Sequence, residues 1–223
     1  MCAHARPTLQ FESCPVLGVS KDAEIEKMND ERFSLCVYCG SRNGRDDAFR
    51  DAAHQVGTEI GKRGWQLVYG GGQVGLMGVV ADATLAAGGT VVGVIPRVLM
   101  EREVGHQRLQ ELHVVETMHE RKHLMAQRAH AFVALPGGIG TLEELYEVWT
   151  WRQLGYHDKP VALLNVNGYY DPLLAFMHHT VDAGFLAPAQ MELLLTHDRV
   201  PALLDRIHAL ANESRLKADL SRI

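Results

Sequence analysis

The acidic pair Glu143-Glu144 and the basic pair Arg121-Lys122 are the residues of this chain best suited to chemistry, because each stands beside a second signal. Glu143 and Glu144 follow Pro136-Gly137-Gly138-Ile139-Gly140-Thr141, in which three glycines fall within four positions. Glycines so spaced let a backbone turn tightly, and Thr141 can cap a helix beginning there. Such a turn presents unpaired N–H groups at the positive end of a helix dipole, which suits a phosphate. Carboxylates in the first turn of that helix are ordinary dipole partners, yet beside a phosphate they repel the anion. Chemistry on a sugar attached to the phosphate would give them a purpose.

The elements that must hold these residues follow from periodicity. Residues 131–135 are five apolar residues in a row, a buried strand, and the segment after the turn repeats apolar residues at Leu142, Leu145, Tyr146 and Trp149, a helix. Upstream, residues 34–40 read as a strand, 46–62 as a helix and 65–69 as a strand, the unit of a right-handed parallel crossover. Gly70-Gly71-Gly72 then leads into a helix over 74–87 and a strand over 90–95 that Pro96 ends. Residues 96–110 read as a solvated loop, 112–115 as a short strand, and a helix starting near Thr117 carries Arg121 and Lys122. Further strands are expected over 161–165 and 191–196, with helices near 169–182 and 201–210. Alternating strands and helices predict an α/β fold: a doubly wound, mostly parallel Rossmann-like sheet with helices on both faces and ligands outside the strands' carboxyl ends.

Three regions are expected: an extension over 1–32 lacking clear periodicity, one nucleotide-binding catalytic domain over 33–211, and a polar, frayed tail over 212–223. A net charge of −5 gives no broad basic surface and argues against a nucleic acid polymer as partner. Hydrophobic content of 47% is spread through short segments, none long enough to cross a bilayer, and no secretory signal is evident; a cytoplasmic setting is the expectation. Of the four cysteines, Cys36 and Cys39 form a C-x-x-C on the first strand, where their spacing puts them on opposite faces as packing residues. His119-Glu120-Arg121-Lys122-His123 matches H-E-x-x-H literally, but two cations sit against any metal and no third ligand stands out, so no metal is expected.

Pro136-Gly137-Gly138-Ile139-Gly140-Thr141-Leu142-Glu143-Glu144 resembles the PGGxGTxxE signature of the Lonely Guy family, the cytokinin-activating phosphoribohydrolases once described as lysine decarboxylases. Cys36-Val37-Tyr38-Cys39-Gly40-Ser41, Tyr69-Gly70-Gly71-Gly72 with Gly75-Leu76-Met77-Gly78, Met118-His119-Glu120-Arg121-Lys122 and residues 159–165 agree with it in the same order. The resemblance implies hydrolysis of the N-glycosidic bond of cytokinin riboside 5′-monophosphates, and of AMP, to free base and ribose 5-phosphate, with no cofactor. It also implies roles. Glu144 and Arg121 are the catalytic candidates: a carboxylate can stabilise oxocarbenium charge or activate water, and a guanidinium can pair with the phosphate or orient that carboxylate.

Gly137, Gly138, Ile139, Gly140 and Thr141 would cradle the phosphate, with Glu143 on ribose hydroxyls and Lys122 as companion to Arg121. Gly71, Gly72 and Met77 would line the nucleotide side. Glu103 and Thr150 carry over as substrate contacts by resemblance alone. Trp149 and Trp151 cannot share one helix face, so a homodimer through this helix is expected, as relatives form, with a larger assembly open. The rival with the same fold is a non-catalytic nucleotide- or molybdenum-cofactor-binding carrier. A pyridoxal-dependent decarboxylase is disfavoured, because Lys122 and Lys159 lack a cofactor-binding context.

Overall fold

Strands covered by helices on both faces must be apolar at successive positions rather than alternate ones. β1 (Ser34–Tyr38), β5 (Ala131–Ala134) and β6 (Val161–Leu164) are buried at every residue. The computed structural model describes residues 32–220 apart from 104 and 107, with the side chains of 101–103 and 215–220 outside the description. The expected extension over 1–32 therefore lies, but for Arg32, outside the described residues. With β2 (Gln66–Tyr69), β3 (Thr90–Pro96), β4 (Glu111–Val115) and β7 (Leu194–His197), the described strands form one seven-stranded sheet in the order β4-β3-β2-β1-β5-β6-β7. Every pairing in it is parallel.

The connecting helices are α1 (Asp47–Lys62), α2 (Gly75–Ala86), α3 (Arg97–Glu103), α4 (Met118–Arg128), α5 (Ile139–Gln153), α6 (Asp171–Asp182), α7 (Pro188–Met191) and α8 (Val200–Leu220). One face of the sheet packs on α1, α2 and α8 through residues such as Ile60, Val80 and Leu204. The other packs on α4, α5 and α6 through Met125, Leu145 and Met177. Each fully buried aliphatic side chain contributes about 1.5–3 kcal/mol, so both layers are needed to hold so thin a sheet. Cys36 and Cys39 fall on opposite layers, as expected, and burial pushes both thiols up. Among the described residues no helix is long and apolar enough to cross a membrane.

Strand order reverses at β1, whose neighbours are β2 and β5. Loops leaving the carboxyl ends of β1 and β5 therefore depart toward opposite layers and open a crevice between them. The Gly40 N–H donates to the Pro136 carbonyl at 3.1 Å, and the Leu76 N–H to the Gly40 carbonyl at 3.0 Å, so the loops after β1 and β5 and the start of α2 are tied together at its base.

Three expectations are corrected. Gly138, not Thr141, is the N-cap of α5, and the helix begins two residues before Thr141; Glu143 and Glu144 consequently lie beyond its first turn. The supposed loop over 96–110 contains α3, and Pro96 closes β3 as its last paired residue, opposite Val115. The tail over 212–223 is helical as far as Leu220, because the stretch from Ala211 has neither Gly nor Pro and is rich in helix formers. Trp149 and Trp151 pack within the chain, where the Trp149 indole N–H donates to the Gln190 carbonyl at 3.1 Å, while Leu154 of the same apolar set stays exposed.

Candidate active site

A cleft of about 530 Å³ occupies the crevice at the β1/β5 switch point. Of the residues expected from sequence, Met77, Arg121, Gly137, Gly138, Ile139, Gly140, Thr141 and Glu144 line it. Its floor is the start of α5. Leu142 is the first to close a helical bond, its N–H reaching the Gly138 carbonyl at 3.1 Å, so the N–H groups of Ile139, Gly140 and Thr141 have no carbonyl one turn behind them. A Cβ built on Gly138 or Gly140 meets nothing within 4 Å, whereas one on Gly137 would fall 2.1 Å from the Thr141 hydroxyl oxygen. Ile139 is 87% exposed and Gly138 and Gly140 on either side are exposed as well, so the turn offers open backbone.

Helical spacing separates the two glutamates. Thr141, Glu144, Leu145 and Val148 form the buried face of α5, and Glu143, about 100° from Glu144, points out of it. The Glu144 carboxylate, on a residue 8% exposed, meets the Arg121 guanidinium at 3.4 Å. Arg121 is itself 7% exposed and fixed from two further sides: Nε donates to the Val94 carbonyl at 3.2 Å and Nη2 to the Gly70 carbonyl at 3.3 Å. A guanidinium so held orients its partner carboxylate and has few N–H groups left for a ligand. Its charge-bearing neighbourhood reaches further: burial, and next the Cys36 thiol and Glu144, hold the Tyr38 hydroxyl protonated well above its ordinary range.

Lys122 and Glu143 are placed elsewhere. The Lys122 ammonium pairs with Glu143 and, at 3.0 Å, with Glu147, outside the lining of the cleft. Burial opposes its charge, but these two carboxylates prevail and raise its pKa. Gly71 and Gly72 are buried behind the cleft: a Cβ on Gly71 would press on Ile95 and Leu112, and Gly72 forms a bridge to Gly105. The glycine of that run which serves the cleft is Gly70, where a Cβ would sit 2.0 Å from Nη2 of Arg121. Thr150 is exposed near the end of α5, away from the cleft lining, and the side chain of Glu103 lies outside the described residues.

Sequence reasoning missed Ser41, Arg42, Asn43, Phe49 and Tyr169, which also line the cleft. The first three follow β1 and were within reach of the rule that ligands bind beyond strand carboxyl ends. Tyr169 has no local signal. Its hydroxyl donates to the Gly137 carbonyl at 2.5 Å while its ring stands edge-on to Phe49, with centroids 5.3 Å apart, so it props the glycine turn from outside. The zinc and pyridoxal candidates are occupied otherwise. The Glu120 carboxylate accepts the N–H groups of Glu116 and Thr117 at 2.8 and 3.2 Å as the capping box of α4, and the Lys159 ammonium donates to the Ala126 carbonyl at 2.8 Å.

Comparison with known proteins bears on these features. A family model described as possible lysine decarboxylase matches residues 77–207. A cytokinin riboside 5′-monophosphate phosphoribohydrolase of Arabidopsis thaliana is 46% identical over 187 residues, 83% of this chain and 87% of its own. The enzyme of that name from Oryza sativa subsp. japonica is 53% identical over 162 residues, 73% of this chain and 67% of its own. Among solved structures, a Moco carrier protein from Chlamydomonas reinhardtii superposes with a TM-score of 0.62 at 21% identity, covering 82% of this chain and 99% of that one. The molybdenum cofactor binding protein of Rippkaea orientalis gives 0.61 at 19% identity, over 81% and 98%. These two likenesses are of fold alone.

Proposed function

The chain belongs to the Lonely Guy family, and on that premise we propose that it is a phosphoribohydrolase which cleaves the N-glycosidic bond of cytokinin riboside 5′-monophosphates and of AMP. The observation that carries this reading is the convergence, in one cleft, of open amides at the start of α5 with the buried Arg121–Glu144 pair. Amides at a helix N-terminus suit the 5′-phosphate, and a carboxylate one and a half turns along the same helix then lies on the ribose side of it. As the bond from C1′ to the base nitrogen breaks, the base departs with the bonding electrons and positive charge builds on the ribose. Glu144 stabilises that charge and takes a proton from the water that bonds to C1′, the departing base nitrogen takes up a proton from solvent, and Glu144 returns its own to solvent, leaving ribose 5-phosphate and free base. Arg121 fixes the carboxylate's orientation; its engagement by two carbonyls supports this role over direct phosphate binding.

Gly137, Gly138, Ile139, Gly140, Thr141 and Met77 complete the substrate side, whereas Lys122 and Glu143 serve to pin α4 to α5. A cytoplasmic homodimer is part of the proposal, with Leu154 and Tyr156, both exposed at the end of α5, as the apolar side chains left for a second copy. Incubation with AMP and with isopentenyladenosine 5′-monophosphate, followed by chromatography for free base, tests the activity. Release of adenine or isopentenyladenine is expected. Tight binding of both nucleotides without release would instead support the carrier reading.

A further inference from the structure

A nucleoside 5′-monophosphate brings between one and two negative charges into a cleft that already holds the Glu144 carboxylate. The start of α5 offsets about half a charge. Arg121 adds little toward the phosphate, since its charge is balanced by Glu144 and its donors by the carbonyls of Val94 and Gly70. Lys122 is paired with Glu143 and Glu147 outside the lining. One cation of the lining is left among the described residues. Arg42 is exposed, and it makes no ion pair or side-chain hydrogen bond among the described residues.

The backbone beneath Arg42 is anchored. A Cβ on Gly75 would fall 2.3 Å from the Ser41 carbonyl carbon and 2.4 Å from the Arg42 nitrogen, so the loop lies flush against the first residue of α2. The Gly40 carbonyl is held by the Leu76 N–H, and the Gly40 N–H by the Pro136 carbonyl, which sets the Arg42 loop directly across from the glycine turn. Resting on the phosphoribohydrolase reading, we infer that Arg42 supplies the countercharge to the 5′-phosphate and so sets the preference for a nucleotide over the unphosphorylated nucleoside. It acts as a specificity residue: the guanidinium pairs with phosphate oxygens in ground state and transition state alike, and therefore governs affinity rather than the chemical step.

The test is the affinity for AMP and for adenosine, measured calorimetrically in a Glu144→Gln background where turnover is strongly slowed, with Arg42→Ala, Arg42→Lys and Arg45→Ala added singly. Arg45 is exposed in the same loop but outside the cleft lining, which makes it a control for general surface charge. Loss of the guanidinium should weaken AMP about 10- to 100-fold, leave adenosine unchanged and flatten the salt dependence of AMP binding. Arg42→Lys should recover part of the loss, and Arg45→Ala should lose none. In the native background Arg42→Ala should raise KM for AMP with kcat nearly constant. Equal AMP affinity with and without the guanidinium, or an equal loss for adenosine, overturns the inference. Arg42-dependent AMP binding by a native protein that releases no base overturns the hydrolase reading and leaves this one standing; a native protein that binds no AMP overturns both.

Discussion

Two glycine runs follow strands in this sheet, Gly70–Gly72 after β2 and Gly137–Gly140 after β5, and they do opposite things with the absence of a Cβ. In the first run the protein itself fills the space: the Arg121 guanidinium lies on Gly70, and Ile95 and Leu112 close on Gly71. In the second the space stays open at Gly138 and Gly140. The first run is a seat for a side chain of the chain's own, the second a seat for something that comes from outside. Glycine after a strand therefore does not by itself mark a ligand; what matters is whether the molecule already occupies the room that the missing side chain leaves.

Both runs converge on Glu144, so the largest expected effect is there. Glu144→Gln should lower kcat for base release by about 10²- to 10⁴-fold while AMP affinity changes little; near-native turnover would detach both runs from catalysis. Next comes Gly70→Ala. A methyl at 2.0 Å from Nη2 must displace Arg121, and a shift of about 1 Å at that position should cost about 10²-fold in kcat and lower the melting temperature, because buried carbonyls lose their donor. A kinetically silent Gly70→Ala would break the comparison.

Gly140→Ala is the mirror case. Alanine in the first turn of α5 meets no atom and favours helix, so the variant should be more stable by about 0.5–1 kcal/mol while KM for AMP rises about tenfold at nearly constant kcat. Opposite signs of stability change in the two alanine variants, read by denaturant unfolding, would sharpen the contrast further. The smallest effect comes from a proton remote from both runs. His157 donates from Nε2 to the Val148 carbonyl at 3.0 Å and accepts the Lys159 N–H at Nδ1, and burial, then the Lys159 charge, depresses its pKa from 6.5 to about 4. Between those values the unfolded chain binds the extra proton, so stability is fully present above pH 6.5 and falls as pH drops toward 4, by about 2 kcal/mol after allowance for partial exposure. That slope should be the same in Gly70→Ala and Gly140→Ala and should disappear in His157→Asn.

Much of this molecule was written locally. Uninterrupted apolar runs such as Phe132-Val133-Ala134 can only be strands covered on both faces, and the turn over 136–141 announces a bare helix N-terminus without help from distant residues. The fold class and a ligand seat beyond the strands' carboxyl ends follow from such short-range signals, and the family resemblance singles out Glu144 from its neighbour, whereas the β1/β5 switch point is a matter of strand order. What sequence could not apportion were tasks set by contacts between remote segments. Gly70 matters because Arg121, 51 positions away, lies against it; Glu143 pairs with Lys122 because one residue along a helix turns a side chain by about 100°; Tyr169 reaches the turn from a separate loop. Periodicity tells which face a residue takes, but whether the space beside it is empty or filled is a property of packing, and that is settled only when every segment is in place.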